Sequence, residues 1–378
     1  MTTQTLEPTL PRYSESSLDA FATSVIASLG VPGEPNPLEL PPSERICVLL
    51  IDGLGWDLLS AHPAAAPLLS ELAMTASPLT AGFPATTATS LGTIGTGRPP
   101  GQHGLLGYQV AIPGSGRLLN ALRWDASVDP VSWQPESTIF ERAAEAGIAA
   151  FRVGPGAFRN SGLSVAAMRG AEFLAADTMG ALVSRTVAAL ASAAPALALA
   201  YYGDLDMTGH ALGSGSDAWQ YQLAHVDKLA EQLAAALPNG TILYITADHG
   251  MTDVPPGDRI DVDAMPELRE GVSLLGGEPR ARHLYCEQGA ADDVLRRWSQ
   301  VLGDRAWVVP KEHAVSDQWF GPVDVRFADR IGDVIVAPRG PGAVVATKAE
   351  PRESALIGMH GSLTPADQLV PLLSISAS

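Results

Sequence analysis

Ile46-Cys47-Val48-Leu49-Leu50-Ile51-Asp52-Gly53-Leu54-Gly55 is the stretch on which the reading of the fold turns. Six apolar residues run without interruption, where a strand with one wet face would alternate. A continuous run of this kind reads as a strand buried on both faces, the arrangement of parallel sheets covered by helices. It stops at an acidic residue followed by a glycine turn, so one carboxylate is set at the strand's C-terminal end.

Outward from that strand the theme repeats. Ala149 to Val153, Ala196 to Tyr202, Thr241 to Ile245 and Val334 to Ala337 are further short apolar runs, with helical patterns between several of them. Ser17 is placed to cap a first helix on which Leu18, Phe21, Val25, Ile26 and Leu29 share a face before Gly30 ends it. Thr138 to Ala146 follows Ser137, and Asp217 to Leu237 follows Ser216 and stops at Pro238-Asn239-Gly240. Strands alternating with helices predict an α/β fold with a mostly parallel central sheet sandwiched by helices. Between Met251 and about Phe327 the texture changes: Pro255-Pro256-Gly257, more charge, a helix-like Ala291 to Leu302 and a short strand around Trp307 to Val309. The expected organisation is a catalytic core from 1–250 and 328–378 with a smaller inserted cap over 251–327.

The chain of 378 residues carries 41 acidic against 24 basic residues, a formal charge of −17. That balance repels polyanions and argues against a nucleic-acid polymer or an anionic membrane as partner. An anionic substrate must then be captured locally, which bound divalent metal would allow by reversing the field at one spot. Two cysteines far apart, Cys47 and Cys286, make neither a disulfide framework nor a thiolate metal site. The segment Met1 to Tyr13 lacks a basic region followed by an apolar one, and no apolar run reaches membrane-spanning length; a cytoplasmic protein is the expectation.

Open α/β sheets bind ligands at the C-terminal ends of their strands, and polar residues gather there in this sequence. Asp52 follows the first strand, Asp206 follows Ala196 to Tyr202, and Asp248-His249 follows Thr241 to Ile245. Each alone is an ordinary turn or surface residue. Joined by His210 and His360 they give three aspartates and three histidines able to converge on divalent cations, with zinc the best match to a mixed imidazole and carboxylate set. The segment Phe83 to Gly97 is crowded with Thr, Ser and Gly. A hydroxyl at a helix start is a plausible nucleophile, since main-chain N–H groups there bind a phosphoryl oxygen. Several hydroxyls compete for that role.

These motifs together resemble the nucleotide pyrophosphatase/phosphodiesterase branch of the alkaline phosphatase superfamily. The residues that carry the likeness are Ile51-Asp52-Gly53, the Thr-rich segment ending in Thr96-Gly97, Pro100-Gly101-Gln102-His103-Gly104, Asp206 with His210, Thr246-Ala247-Asp248-His249-Gly250-Met251, and His360-Gly361. The resemblance implies an alkaline-phosphatase-like fold and two divalent metal ions. It also implies a nucleophile nine positions before Thr96, which selects Thr87 over Thr86. By the same carry-over Asp206, His210 and His360 hold one metal; Asp52, Asp248, His249 and the Thr87 oxygen hold the other. His103 takes a structural role. Ser90 stands three residues past the nucleophile, where the resemblance leads us to expect an asparagine on a non-bridging phosphoryl oxygen; its short side chain weakens the expectation of a diester preference.

The implied activity is hydrolysis of phosphodiester or pyrophosphate bonds in a small phosphorylated substrate, nucleotides included, through a covalent phosphothreonine. A phosphomonoesterase or phosphoryl transferase on the same scaffold is the nearest alternative. A sulfatase would need Cys or Ser at position 87. A non-catalytic metal-binding scaffold protein would be expected to have lost a ligand or the nucleophile, and none is lost.

Overall fold

The computed structural model describes residues 7–377. Met1 to Leu6, on which part of the reading of the N-terminal segment rests, and Ser378 lie outside the described residues.

Ten strands build the two larger sheets. In chain order they are β1 (Arg45–Ile51), β2 (Ala149–Gly154), β3 (Glu172–Ala175), β4 (Ala196–Tyr202), β5 (Thr241–Ala247), β6 (Val272–Glu278), β7 (Ala281–Cys286), β8 (Ala306–Pro310), β9 (Val334–Pro338) and β10 (Leu372–Ser376). The central sheet has the order β10-β5-β1-β4-β2-β3. All neighbours in it are parallel except β10, which runs antiparallel along β5. Ile46 to Ile51 are all buried, as an uninterrupted apolar strand at the centre of a covered sheet must be.

Helices α1 (Leu18–Ser28), α2 (Thr87–Thr96), α3 (Asp204–Leu212) and α4 (Asp217–Ala236) lie among these strands in sequence. Two of the expected caps are adjusted. Ser17 donates its hydroxyl to Asp19 and makes no capping bond. The helix Ile139–Glu145 is capped by Thr138 rather than Ser137, in a reciprocal box with Glu141. Ser216 caps α4 as expected, accepting from the Trp219 N–H at 3.2 Å.

The second sheet, of order β6-β7-β9-β8, is antiparallel throughout. The run Val334 to Ala337, expected in the parallel core, is β9 of this sheet. Its continuous apolar character has the same cause, since it is flanked on both sides by strands and all five of its residues are buried. Trp298 and Leu302 of α5 (Ala291–Leu302) pack with Leu284, Val334 and Val336 in a separate apolar core. Phe320 and Phe327, by contrast, belong to the main core. No helix among the described residues is long and apolar enough to cross a membrane.

Candidate metal centre

The sheet's register sets the height of the site. Ile51 is the partner of both Tyr202 and Ala247, so β1, β4 and β5 end level and their following loops leave from one edge. Asp52 comes directly after β1 and Asp248 directly after β5. After β4 the chain turns into α3, whose first turn carries Asp206 and whose last turn carries His210, one helical repeat on. Gly53 adopts φ +73°, and a Cβ there would stand 3.0 Å from the Asp206 side chain; the turn therefore needs glycine both for conformation and for space.

Two groups of side chains converge. Asp206, His210 and His360 form one, and Asp52, Asp248 and His249 the other, with the donor atoms of each group within 4.8 Å of one another. The groups adjoin: the His249 and His360 rings stack at 3.7 Å between centroids. Thr87 is the first residue of α2, and its hydroxyl lies 3.2 Å from His249 Nε2. All seven residues expected to carry the metals are thus brought together. Thr86 precedes the helix and faces Glu278 instead.

The donor sets suit cations. Each histidine turns Nδ1 to a main-chain carbonyl: His210 to Gly358 O at 2.7 Å, His249 to Gly250 O at 2.9 Å, His360 to Ala85 O at 2.9 Å. That bond fixes the proton on Nδ1 and leaves the Nε2 lone pair facing the cluster. Asp52 Oδ1, Asp206 Oδ1 and Asp248 Oδ2 are buried without a hydrogen-bond partner. Buried acceptors of this kind are costly unless something positive satisfies them.

The titration directions carry the same message. Burial, then the neighbouring Asp52 charge, pushes Asp206 well above the ordinary carboxylate range and Asp248 up to about 7. Burial would also raise Asp52, but His249 and Tyr201 outweigh it and hold that carboxyl low. Burial alone would lower His249; the surrounding Asp248, Asp52 and Asp206 push it well above its ordinary value. Three carboxylates in one dry site thus draw in positive charge, which a divalent cation supplies more fully than a proton.

Ser90 is not at the pocket. It is fully buried and donates its hydroxyl to the Asp248 carbonyl at 2.7 Å, beneath the site, so its position supports bracing of the Asp248 turn rather than contact with a phosphoryl oxygen. His103 is likewise buried, with Nε2 3.1 Å from the Thr93 hydroxyl and Nδ1 accepting from the Leu105 N–H. Burial pushes its pKa down to about 3, in keeping with a neutral structural histidine.

Several site residues escaped the sequence reading. The Tyr201 hydroxyl donates to Asp52 Oδ2. Glu278 reaches the site from the end of β6; its carboxylate lies 3.5 Å from His360 Nδ1, and burial pushes it up to about 8. A pocket of about 270 Å³ opens over Thr86, Thr87, Asp206, His210 and His360 and is lined also by Tyr108, Leu122, Glu278, Arg352, Glu353 and Met359. An aromatic residue at the end of an apolar strand, or a glutamate inside a Gly-Gly-Glu-Pro turn, carries no local signal of such a role.

Residues 46–363 match the family model of type I phosphodiesterase / nucleotide pyrophosphatase. Human ectonucleotide pyrophosphatase / phosphodiesterase 5 is similar in structure, with 20% identity, 88% of this chain and 87% of that one covered, and a TM-score of 0.69. An inactive form of the murine protein in complex with AMP gives 18%, 87%, 87% and 0.69. Phosphonoacetate hydrolase from Sinorhizobium meliloti, in complex with phosphonoformate, gives 18%, 88%, 90% and 0.66. At these identities the solved structures establish the alkaline-phosphatase-like fold. No curated protein sequence matches the chain.

Proposed function

This chain belongs to the type I phosphodiesterase / nucleotide pyrophosphatase family, and from that premise we propose that it cleaves phosphodiester or pyrophosphate bonds of a small substrate through a covalent phosphothreonine on Thr87. The observation that carries the proposal is the Thr87 hydroxyl, at the first position of a helix and 3.2 Å from His249, beside two adjoining clusters of unsatisfied carboxylates and imidazoles. Asp206, His210 and His360 would hold one divalent cation, and Asp52, Asp248, His249 and Thr87 the other, zinc being favoured by the mixed donors. When bound, such cations supply Lewis acidity and stabilise an oxygen nucleophile at neutral pH.

The chain's own residues do the rest. Thr87 Oγ1 gives its proton to solvent and attacks phosphorus; the bond from Oγ1 to phosphorus forms as the bond to the leaving oxygen breaks, and that oxygen takes a proton from solvent. The main-chain N–H groups of Thr87, Ala88 and Thr89 precede the first bond within α2, which runs from Ser90 N–H to Thr86 O at 2.9 Å. Free at a helix start, they are suited to a phosphoryl oxygen. Water then attacks phosphorus and releases one proton to solvent as the bond to Oγ1 breaks, and Oγ1 takes up a proton, which restores Thr87. Tyr201 and the Gly53 N–H, the latter 3.1 Å from Asp248 Oδ1, hold the two carboxylates in place.

The test is turnover of bis(4-nitrophenyl) phosphate by protein reloaded with zinc, with metal content measured alongside. Hydrolysis abolished by a chelator and restored by zinc is expected. An absence of turnover in protein holding two metals per chain overturns the proposal. Residues 251–327 are proposed as the lid that sets substrate choice, because Glu278 and Pro279 from that region line the pocket. Replacing the tip of the β6–β7 hairpin should change relative rates across esters; a change in stability alone refutes that role.

A further inference from the structure

The pocket over the metal-ligand clusters contains one fixed positive side chain among its lining residues, Arg352. Three arginines close to it in the fold are engaged, whereas the exposed Arg123, next to the lining residue Leu122, is not in the lining itself. Arg280 is fully buried against Asp367, with Nη2 2.6 Å from Oδ2. Arg282 pairs with Glu350 at 2.7 Å, and Arg259 donates to the carbonyls of Val254, Ser354 and Leu356. The side chain of Arg352 has no ion pair or hydrogen bond among the described residues. Glu353 follows it in the short helix Pro351–Ser354, where successive residues do not face each other. Glu353 moreover accepts from the Tyr108 hydroxyl at 3.1 Å and has no bond to the guanidinium.

In a chain of charge −17, Arg352 is an exposed, unpaired guanidinium and the one arginine or lysine lining the pocket over Thr87. We propose that Arg352 is a specificity-determining residue that receives a second anionic group of the substrate, a carboxylate or a further phosphoryl group, carried on the part of the molecule that projects outward from the phosphorus under attack. The proposal rests on the phosphodiesterase reading above. A planar fork of N–H donors is suited to both groups, which share the geometry of two oxygens on one centre. Leu122, Leu356 and Met359 add apolar surface to the same lining, though Leu122 and Arg352 are themselves exposed, so a charge pair there is partly screened by water. The local field is thereby split: the carboxylate and imidazole end takes cations and the reacting phosphoryl group, and the mouth takes a remote anion.

The experiment compares three 4-nitrophenyl phosphodiesters whose second ester group is ethyl, 2-carboxyethyl or 2-phosphoethyl, using zinc-loaded protein and its Arg352→Gln and Arg352→Lys variants. The wild type is expected to favour one or both anionic esters over the ethyl ester through KM. Arg352→Gln should erase that preference, raising KM for the favoured ester roughly fivefold to tenfold more than for the ethyl ester, with kcat ratios little changed. Arg352→Lys should restore part of it, as a point charge does without the fork. The carboxyethyl and phosphoethyl arms decide between the two anions. Equal effects on all three esters, or none, overturn the proposal while leaving the phosphodiesterase reading intact. Failure of wild-type protein on all three refutes that reading itself.

Discussion

Buried charge is handled in opposite ways at the edge of the central sheet and in the wall that the second sheet turns toward it. In the wall, Arg280 meets Asp367 through two bonds, Nε to Oδ1 at 2.9 Å and Nη2 to Oδ2 at 2.6 Å, and donates further to the carbonyls of Gly340 and Gly342. At the sheet edge, Asp52, Asp206 and Asp248 each keep a buried oxygen without a hydrogen bond, and the single His249 ring nitrogen lies 3.3 Å from that of Asp52 and 3.4 Å from that of Asp248. The first arrangement is electrostatically closed by the chain itself. The second is complete only with a cation, and the contrast separates a structural ion pair from a functional cluster where burial alone would not.

The largest effect that tests this contrast lies at the open end. Thr87→Ala should lower kcat by several orders of magnitude while zinc content stays near that of the parent, because six side-chain ligands remain; Thr86→Ala should cost far less. Steady-state kinetics with elemental analysis reads both. If Thr86→Ala is dead and Thr87→Ala active, the nucleophile has been placed on the wrong threonine.

At the closed end, Asp367→Ala leaves Arg280 buried and unpaired and should cost about 3–5 kcal/mol of stability in denaturant unfolding. Bound zinc per chain should not fall in the variant that remains folded. Loss of metal in step with stability would mean that the two regions are not separable.

A third effect depends on pH. His283 of β7 is fully buried, and burial holds its pKa down to about 4 against an ordinary 6.5. As pH falls, the unfolded chain takes up this proton first. Stability from His283 is therefore intact above about 6.5 and is lost progressively down to about 4, at up to about 1.4 kcal/mol per pH unit. Unfolding free energies of wild type and His283→Gln at pH 7 and pH 5 should converge at the lower pH; parallel values would show that the imidazole is not the group responsible.

The smallest effect concerns Ser90. Ser90→Ala removes one buried hydrogen bond to the Asp248 carbonyl and should cost about 1 kcal/mol of stability, with little change in the ratio of diester to monoester rates. The longer Ser90→Asn side chain meets a fully packed site and should destabilise rather than raise diester activity. A selective gain in diester rate would restore Ser90 to the substrate.

How much of this was legible in the sequence follows from range. Metal-ligand candidates could be read because each sits in a short motif at a strand end, and the strands announce themselves by unbroken apolar runs. The same signal misplaced Val334 to Ala337, since an antiparallel strand flanked and covered on both sides is as apolar as a parallel one; composition reports burial and not the direction of the partner. The burial of Ser90 was hidden for another reason. A position three residues past Thr87 lies on a neighbouring part of the helix surface, but whether that part meets pocket or protein is decided by the Asp248 turn, 158 residues away. Tyr201, Glu278 and Arg352 likewise acquire their places only through contacts distant in sequence.

The level ending of β1, β4 and β5 bears on how such a protein can change its length. Extra residues placed after α3 or past the Asp248-His249 turn leave Asp52, Asp206 and Asp248 at the same height, whereas one residue gained within β4 would lift α3 by about 3.3 Å and turn the following side chains to the opposite face. Insertions are therefore tolerable on the rim only past the ligands, and almost nowhere inside these three strands. Designers grafting new loops onto this scaffold have their margin beyond His210 and His249, and none between Ile51, Tyr202 or Ala247 and the ligand that follows each.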